Sequence, residues 1–260
     1  MAKAGIKVAL HSNGPKGTGI DYDNFLQHNG EYLSLAPSKR VRLFDDFLGD
    51  VIADQWSAAQ GTDGQGAIAV VVAGAIGGAV RLTSGDTVTV AESASILTHG
   101  LNWKSSLGGL VFEARVTPVT SVANVAYFIG LTDVLGTTTI EEAITLSGTT
   151  FTTNATDAVG FVYDTAATTD VWYGKGVAND VDSATVTTAV APVAGTPVVL
   201  RIEVTPAGAA TFFINGAAQG TITGAVTPSV ALTPIVSVMA RTTTVKPIDV
   251  DYIFVESDRV

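Results

Sequence analysis

From Thr196 to Thr223 the chain alternates apolar and polar positions with a period of two. Val198, Leu200, Ile202 and Val204 fall on one side of this run, and Val199, Arg201 and Glu203 fall on the other. That period predicts a half-buried strand over 198–205. Pro206-Ala207-Gly208 interrupts it, 210–214 runs back, and Asn215-Gly216, a pair that accepts positive φ at both positions, closes a tight hairpin before a third strand over 218–223. Such a meander has one apolar face and needs a second sheet to cover it. The same alternation recurs at 110–117, where Leu110, Phe112, Ala114 and Val116 share a face and Pro118 ends the run. By contrast, 122–131 is continuously apolar and predicts a strand covered on both faces. Further short strands are expected at 68–73, 79–83, 87–91, 95–98, 158–164, 171–174, 184–187, 232–241 and 248–256, about fourteen in all at sandwich-like spacing. TTIEEAI at 138–144 reads as a single helical turn with Glu141 and Glu142 in solvent.

Composition agrees with a β-rich chain full of turns. Of the 260 residues 47% are hydrophobic, and 27 are glycine. With no cysteine, neither disulfides nor thiolate metal sites hold the fold. The longest apolar run, 67–80, is too short to span a bilayer and is broken by Gly74, Gly77 and Gly78, so no membrane partner is expected. The amino-terminal segment lacks the apolar core of a signal peptide. A net charge of −10 argues against nucleic acid, which needs clustered Lys and Arg. The charge is unevenly distributed. Residues 1–42 hold six bases and three acids, whereas the remainder holds eight bases and 21 acids, so a +3 segment precedes a −13 body.

Residues 1–40 contain scattered Gly and Pro and show no sustained period, which predicts an extended N-terminal arm before a body at 41–260. Its anchors are Tyr22, Phe25 and Tyr32, and its cations include Lys3, Lys7 and Lys16. The arm either orders on a neighbouring subunit, those six residues then forming a subunit interface in a homo-oligomer, or folds back on its own body.

Few residues point to chemistry. Asp45, Asp46, Asp50 and Asp54 lie close together but lack the alternating ligands, central Gly and closing Glu of a calcium loop, so turn and surface roles are expected. His11, His28 and His99 have no partner at metal-ligand spacing, and no nucleophile elbow or phosphate loop is present. No cofactor, metal or catalytic residue is therefore expected. Recognition falls to aromatic residues. Trp172 and Tyr173 are neighbours that must face opposite ways in a strand, and Trp103 follows the His99-Gly100 turn. All three are candidate glycan contacts, and core packing is the alternative for each tryptophan.

FDDFLGD followed by Trp56, the GLVFEARV and YFIGLTD strands, RIEVTPAGAATFFINGAAQGTI and the closing VDYIFVESDR together resemble a concanavalin A-like (laminin G-like, glucanase-like) jelly roll. The resemblance covers 41–260 and implies an all-β sandwich of two antiparallel sheets. More narrowly, the order of features is similar to jelly-roll structural proteins of tailed-bacteriophage virions. That implies a non-enzymatic capsid decoration or cement protein whose partners are the major capsid protein or other virion subunits. A carbohydrate-binding module on a phage fibre or tail, contacting a surface glycan, is the alternative, and a cellular lectin-like protein is a third. The glucanases of this superfamily carry an E-x-D-x-x-E or E-x-D-x-E strand that sets acid and nucleophile on one face. Here the nearest acidic strand holds Asp249 and Asp251 on one face and places Glu256 on the other, so an enzyme is not expected.

Overall fold

The computed structural model describes residues 40–70, 77–88, 94–135 and 142–259. Of these, Arg42–Ser257 form one compact unit. The expected strand at 87–91 and the helical turn at 138–144 fall largely outside the described residues, as do the N-terminal candidates Lys3, Lys7, Lys16, Tyr22, Phe25 and Tyr32.

The described residues contain 17 strands. In chain order they are β1 (Arg40–Asp45), β2 (Ser57–Gln60), β3 (Ala67–Val70), β4 (Val80–Thr83), β5 (Ser95–Thr98), β6 (Leu110–Pro118), β7 (Val125–Thr132), β8 (Ile144–Ser147) and β9 (Thr150–Thr153). They continue with β10 (Ala158–Asp164), β11 (Tyr173–Ala178), β12 (Val181–Thr187), β13 (Val198–Val204), β14 (Ala210–Ile214), β15 (Ala217–Ile222), β16 (Thr233–Ala240) and β17 (Pro247–Asp258). An eight-stranded sheet runs β15-β14-β13-β6-β17-β4-β3, with β1 also paired to β17; a seven-stranded sheet runs β12-β11-β10-β7-β16-β5-β2. The hairpin β8–β9 stands apart from both. This is the expected all-β jelly-roll sandwich. Among the described residues no helix is long and apolar enough to cross a membrane.

Local chemistry explains the best-read elements. In β13 every second residue is buried, and its register with β14 sets Leu200 opposite Ile214 and Ile202 opposite Phe212. Asn215 and Gly216 take φ of 50° and 80°, the conformation a two-residue hairpin turn requires. Strand β6 alternates in the same way, whereas β7, β10 and β16 are buried at every position because both faces of their sheet are covered.

The two sheets enclose the main core, where Phe112, Leu200, Ile202, Phe212, Val250 and Ile253 of one sheet meet Tyr127, Ile129, Phe161, Tyr163 and Val236 of the other. Phe161 meets Phe212 edge to face at 5.3 Å. A second, smaller core lies on the opposite face of the seven-stranded sheet. Ile96, Phe128, Val162, Tyr173, Ile235 and Met239 pack there under Ala143, Ile144 and Leu146, with Phe151 of β9 half-buried against them. Phe128 lies across Gly160, where a Cβ would come within 2.6 Å of its ring. A glycine at that point lets the aromatic lie flat on the sheet.

A bulge in β17 corrects one sequence expectation. The register shifts between Val250 and Tyr252, so the alternation changes phase and Ile253 and Val255 continue the buried row begun by Ile248 and Val250. Glu256 thereby returns to the face that carries Asp249, and does not point away from it.

Candidate functional site

The outer face of the eight-stranded sheet carries a ladder of paired charges. Arg81 meets Asp249 through two bonds of 2.6 and 2.8 Å, Arg115 pairs with Asp251, and Arg42 pairs with Glu256. Tyr252 donates to Glu113 at 2.6 Å. Asp249, Asp251 and Glu256 thus share a face, each tied to its own arginine. Among the described residues no group of three or more His, Cys, Asp or Glu is arranged to hold a metal ion. Asp45, from the acidic stretch, accepts from the backbone N–H of Phe47 at 2.8 Å and from the Trp56 indole at 2.7 Å, a turn-forming role.

The other sheet differs. Beside its second core lies a buried charged group. Asp164, with no solvent exposure, takes both arms of the Arg241 guanidinium and also accepts from the backbone N–H groups of Leu146 and Ala166. Glu142 is close by and fully buried, which overturns its expected place in solvent. Its Oε1 is 3.3 Å from the Ser237 hydroxyl, and its Oε2 has no hydrogen-bond partner among the described residues. Burial, and then the charge of Asp164, push its pKa up to about 8 against the opposing pull of Arg241.

A pocket of about 370 Å³ lies on this face between the β8–β9 hairpin and the edge strands β11 and β12. Three separate stretches build it. Gly148, with φ of 61°, turns the hairpin and brings Thr149 and Phe151 to the rim. The segment before β11 adds Thr168 and Thr169, and the cross-strand neighbours Tyr173 and Thr187 close the side together with Thr185. Phe151 and Tyr173 meet edge to face at 6.0 Å, and the Tyr173 hydroxyl is anchored by donating to the Thr169 carbonyl. Behind Phe151, the Lys175 ammonium sits 4.8 Å from the ring centroid and donates to the Ser183 carbonyl at 2.6 Å. Among the described residues, none of the five threonine hydroxyls is bonded to another protein group, so five threonines with uncommitted hydroxyls line a cleft walled by two rings.

The three aromatic candidates do not come together. Trp103 is 2% exposed and sits in the main core with His99 edge-on at 5.3 Å, and burial pushes His99 below its ordinary pKa. Trp172 is 0% exposed and packs among Tyr127, Phe161 and Tyr163. Neither ring is presented to solvent, so a sugar cannot stack on either. Tyr173 faces away from its neighbour Trp172 and lines the pocket. Phe151 and the threonines were missed by sequence reasoning. The available signal was a phenylalanine in the polar run TTFTT just after a glycine turn.

No family model and no curated protein sequence matches this chain. Solved structures do. A β-1,3-1,4-glucanase (lichenase) derived from a mouse hindgut metagenome aligns with a TM-score of 0.56 at 10% identity, over 82% of this chain and 98% of that one. The Emp47p carbohydrate recognition domain aligns at 0.54 and 10%, over 86% and 99%, and an endo-β-1,4-glucuronan lyase from the fungus Trichoderma reesei at 0.53 and 15%, over 84% and 95%. The expectation of a non-enzymatic protein does not survive this comparison. It rested on a missing glucanase motif and on the lack of other catalytic signatures, whereas the same fold carries a lyase as well as a lichenase, so those absences do not remove the chain from the enzymes. At these identities the likeness is one of fold, and in fold the chain is a concanavalin A-like jelly roll.

Proposed function

We propose that this chain is a glycan-binding jelly roll that takes a short stretch of sugar into the pocket between the β8–β9 hairpin and strands β11 and β12. The observation that carries the proposal is the lining itself. Phe151 and Tyr173 offer apolar ring surface for the C–H face of a sugar, and the unpartnered threonine hydroxyls offer both halves of the hydrogen bonds that sugar hydroxyls need. The volume is at the small end of the roughly 300–1,000 Å³ typical of ligand sites. The fold supports the same reading, since its neighbours include a carbohydrate recognition domain and glycan-active enzymes. The virion reading, with capsid subunits as partners of residues 1–40, keeps its sequence basis alone.

A glycan array probed with the full chain, followed by calorimetry on the hits, tests the proposal. Phe151→Ala, at a half-buried position, should weaken any bound glycan about tenfold, the worth of one well-placed aromatic contact. Silence across the array, or affinity indifferent to Phe151, would sink the reading.

A further inference from the structure

We infer that the pocket selects uncharged sugars and turns away uronates, a deepening that rests on the glycan-binding reading. Every lining side chain is neutral: the two rings, the threonines, and Leu146 beside Gly148. A uronate carboxylate entering this space would shed part of its water with no cation waiting for it.

The charges that border the pocket reinforce that. Lys175 lies opposite Thr185 across β11 and β12, but it is 3% exposed, held by the Ser183 carbonyl, covered by the Phe151 ring and 3.7 Å from Asp182. Its charge is already committed. Arg241 is likewise engaged with Asp164. Asp170, exposed and next to lining Thr169, adds a negative charge at the rim. Beyond the rim, residues 43–260 carry a net −13, which repels a polyanion at long range. Hydroxyls suit a neutral sugar, and among the described residues nothing at the rim compensates an acid.

The test titrates the full chain with oligosaccharides of matched length from β-1,3-1,4-glucan, alginate and glucuronan, at low and at high salt. The glucan should bind, with the two uronates weaker by about tenfold or more at low salt and the gap narrowing as salt screens the body's charge. Asp170→Lys, at an exposed position outside the lining, should raise uronate affinity and leave the glucan unchanged. Uronates binding as tightly as the glucan, with both lost in Phe151→Ala, would overturn the selectivity while leaving the pocket in place. A gap that Asp170→Lys does not move would also overturn it, since charge at the rim would then not be the cause. Wild-type silence toward all three sugars would remove the glycan reading and this inference with it.

Discussion

The outer faces of the two sheets solve the same problem in opposite ways. On the eight-stranded sheet the strands alternate, apolar residues go inward, and the outward positions are occupied by Arg81, Arg115, Asp249, Asp251 and their partners. That face meets water directly, and the Arg81–Asp249 and Arg115–Asp251 pairs are partly exposed, so each contributes little. On the seven-stranded sheet the outward positions are apolar too, with Phe128, Val162, Ile235 and Met239 among them, and a separate hairpin covers them. Ionisable groups are also buried on that side, as Asp164 and Glu142 are. The lesson is that a pocket forms where a sheet is incompletely roofed. An alternating face left bare is flat; a covered face has a roof, and the edge of the roof makes a cleft.

Substitutions can break or sharpen this contrast. The largest effect belongs to the core shared by both sheets: Phe212→Ala should cost about 4 kcal/mol in urea denaturation, because the void beside Phe161 cannot collapse. Next, Arg241→Ala should cost about 3 kcal/mol by leaving the buried Asp164 without its cation. Arg115→Ala on the bare sheet should cost less than about 1 kcal/mol, and a loss matching that of Arg241→Ala would erase the distinction between the faces. The subtlest effect is a pH dependence. Glu142 is raised in the folded state from 4.5 to about 8, so its protonated form favours folding. Its contribution is present at low pH and is lost as pH rises from the ordinary carboxylate range through about 8. Melting temperatures of the wild type and Glu142→Gln, followed across that window, should show the wild type declining relative to a flatter variant. His99, lowered by burial, acts in the opposite direction on the acid side, and comparing the two proteins cancels it.

Much of the bare sheet was legible in the residues. Alternation at 110–117 and 198–205 and the Asn215-Gly216 turn place β6, β13, β14 and β15 within a residue or so of their positions, since a strand with one wet face writes its period into the sequence. The roofed side was read less well. Strands β8 and β9 are short and rich in threonine, a residue equally at home in a loop, and Glu142 is buried by partners distant in the chain, which no local pattern reveals. The bulge at Asp251 was invisible for a related reason: one extra residue inverts the parity on which face assignments depend. The pocket was illegible as a unit, because its walls come from three segments that each read as an ordinary polar stretch.

Strand β17 has a consequence for how the body comes together. Although it is the latest of the 17 strands in chain order, it lies inside the eight-stranded sheet, with β6 on one side and β4 and β1 on the other. On the ribosome, β1, β3 and β4 must therefore wait unpaired with their sheet until residues near 247–258 have emerged. Assembly of this half is governed by the most distant pairings in the molecule, which makes for slow folding and a long interval in which open strand edges are exposed to other nascent chains.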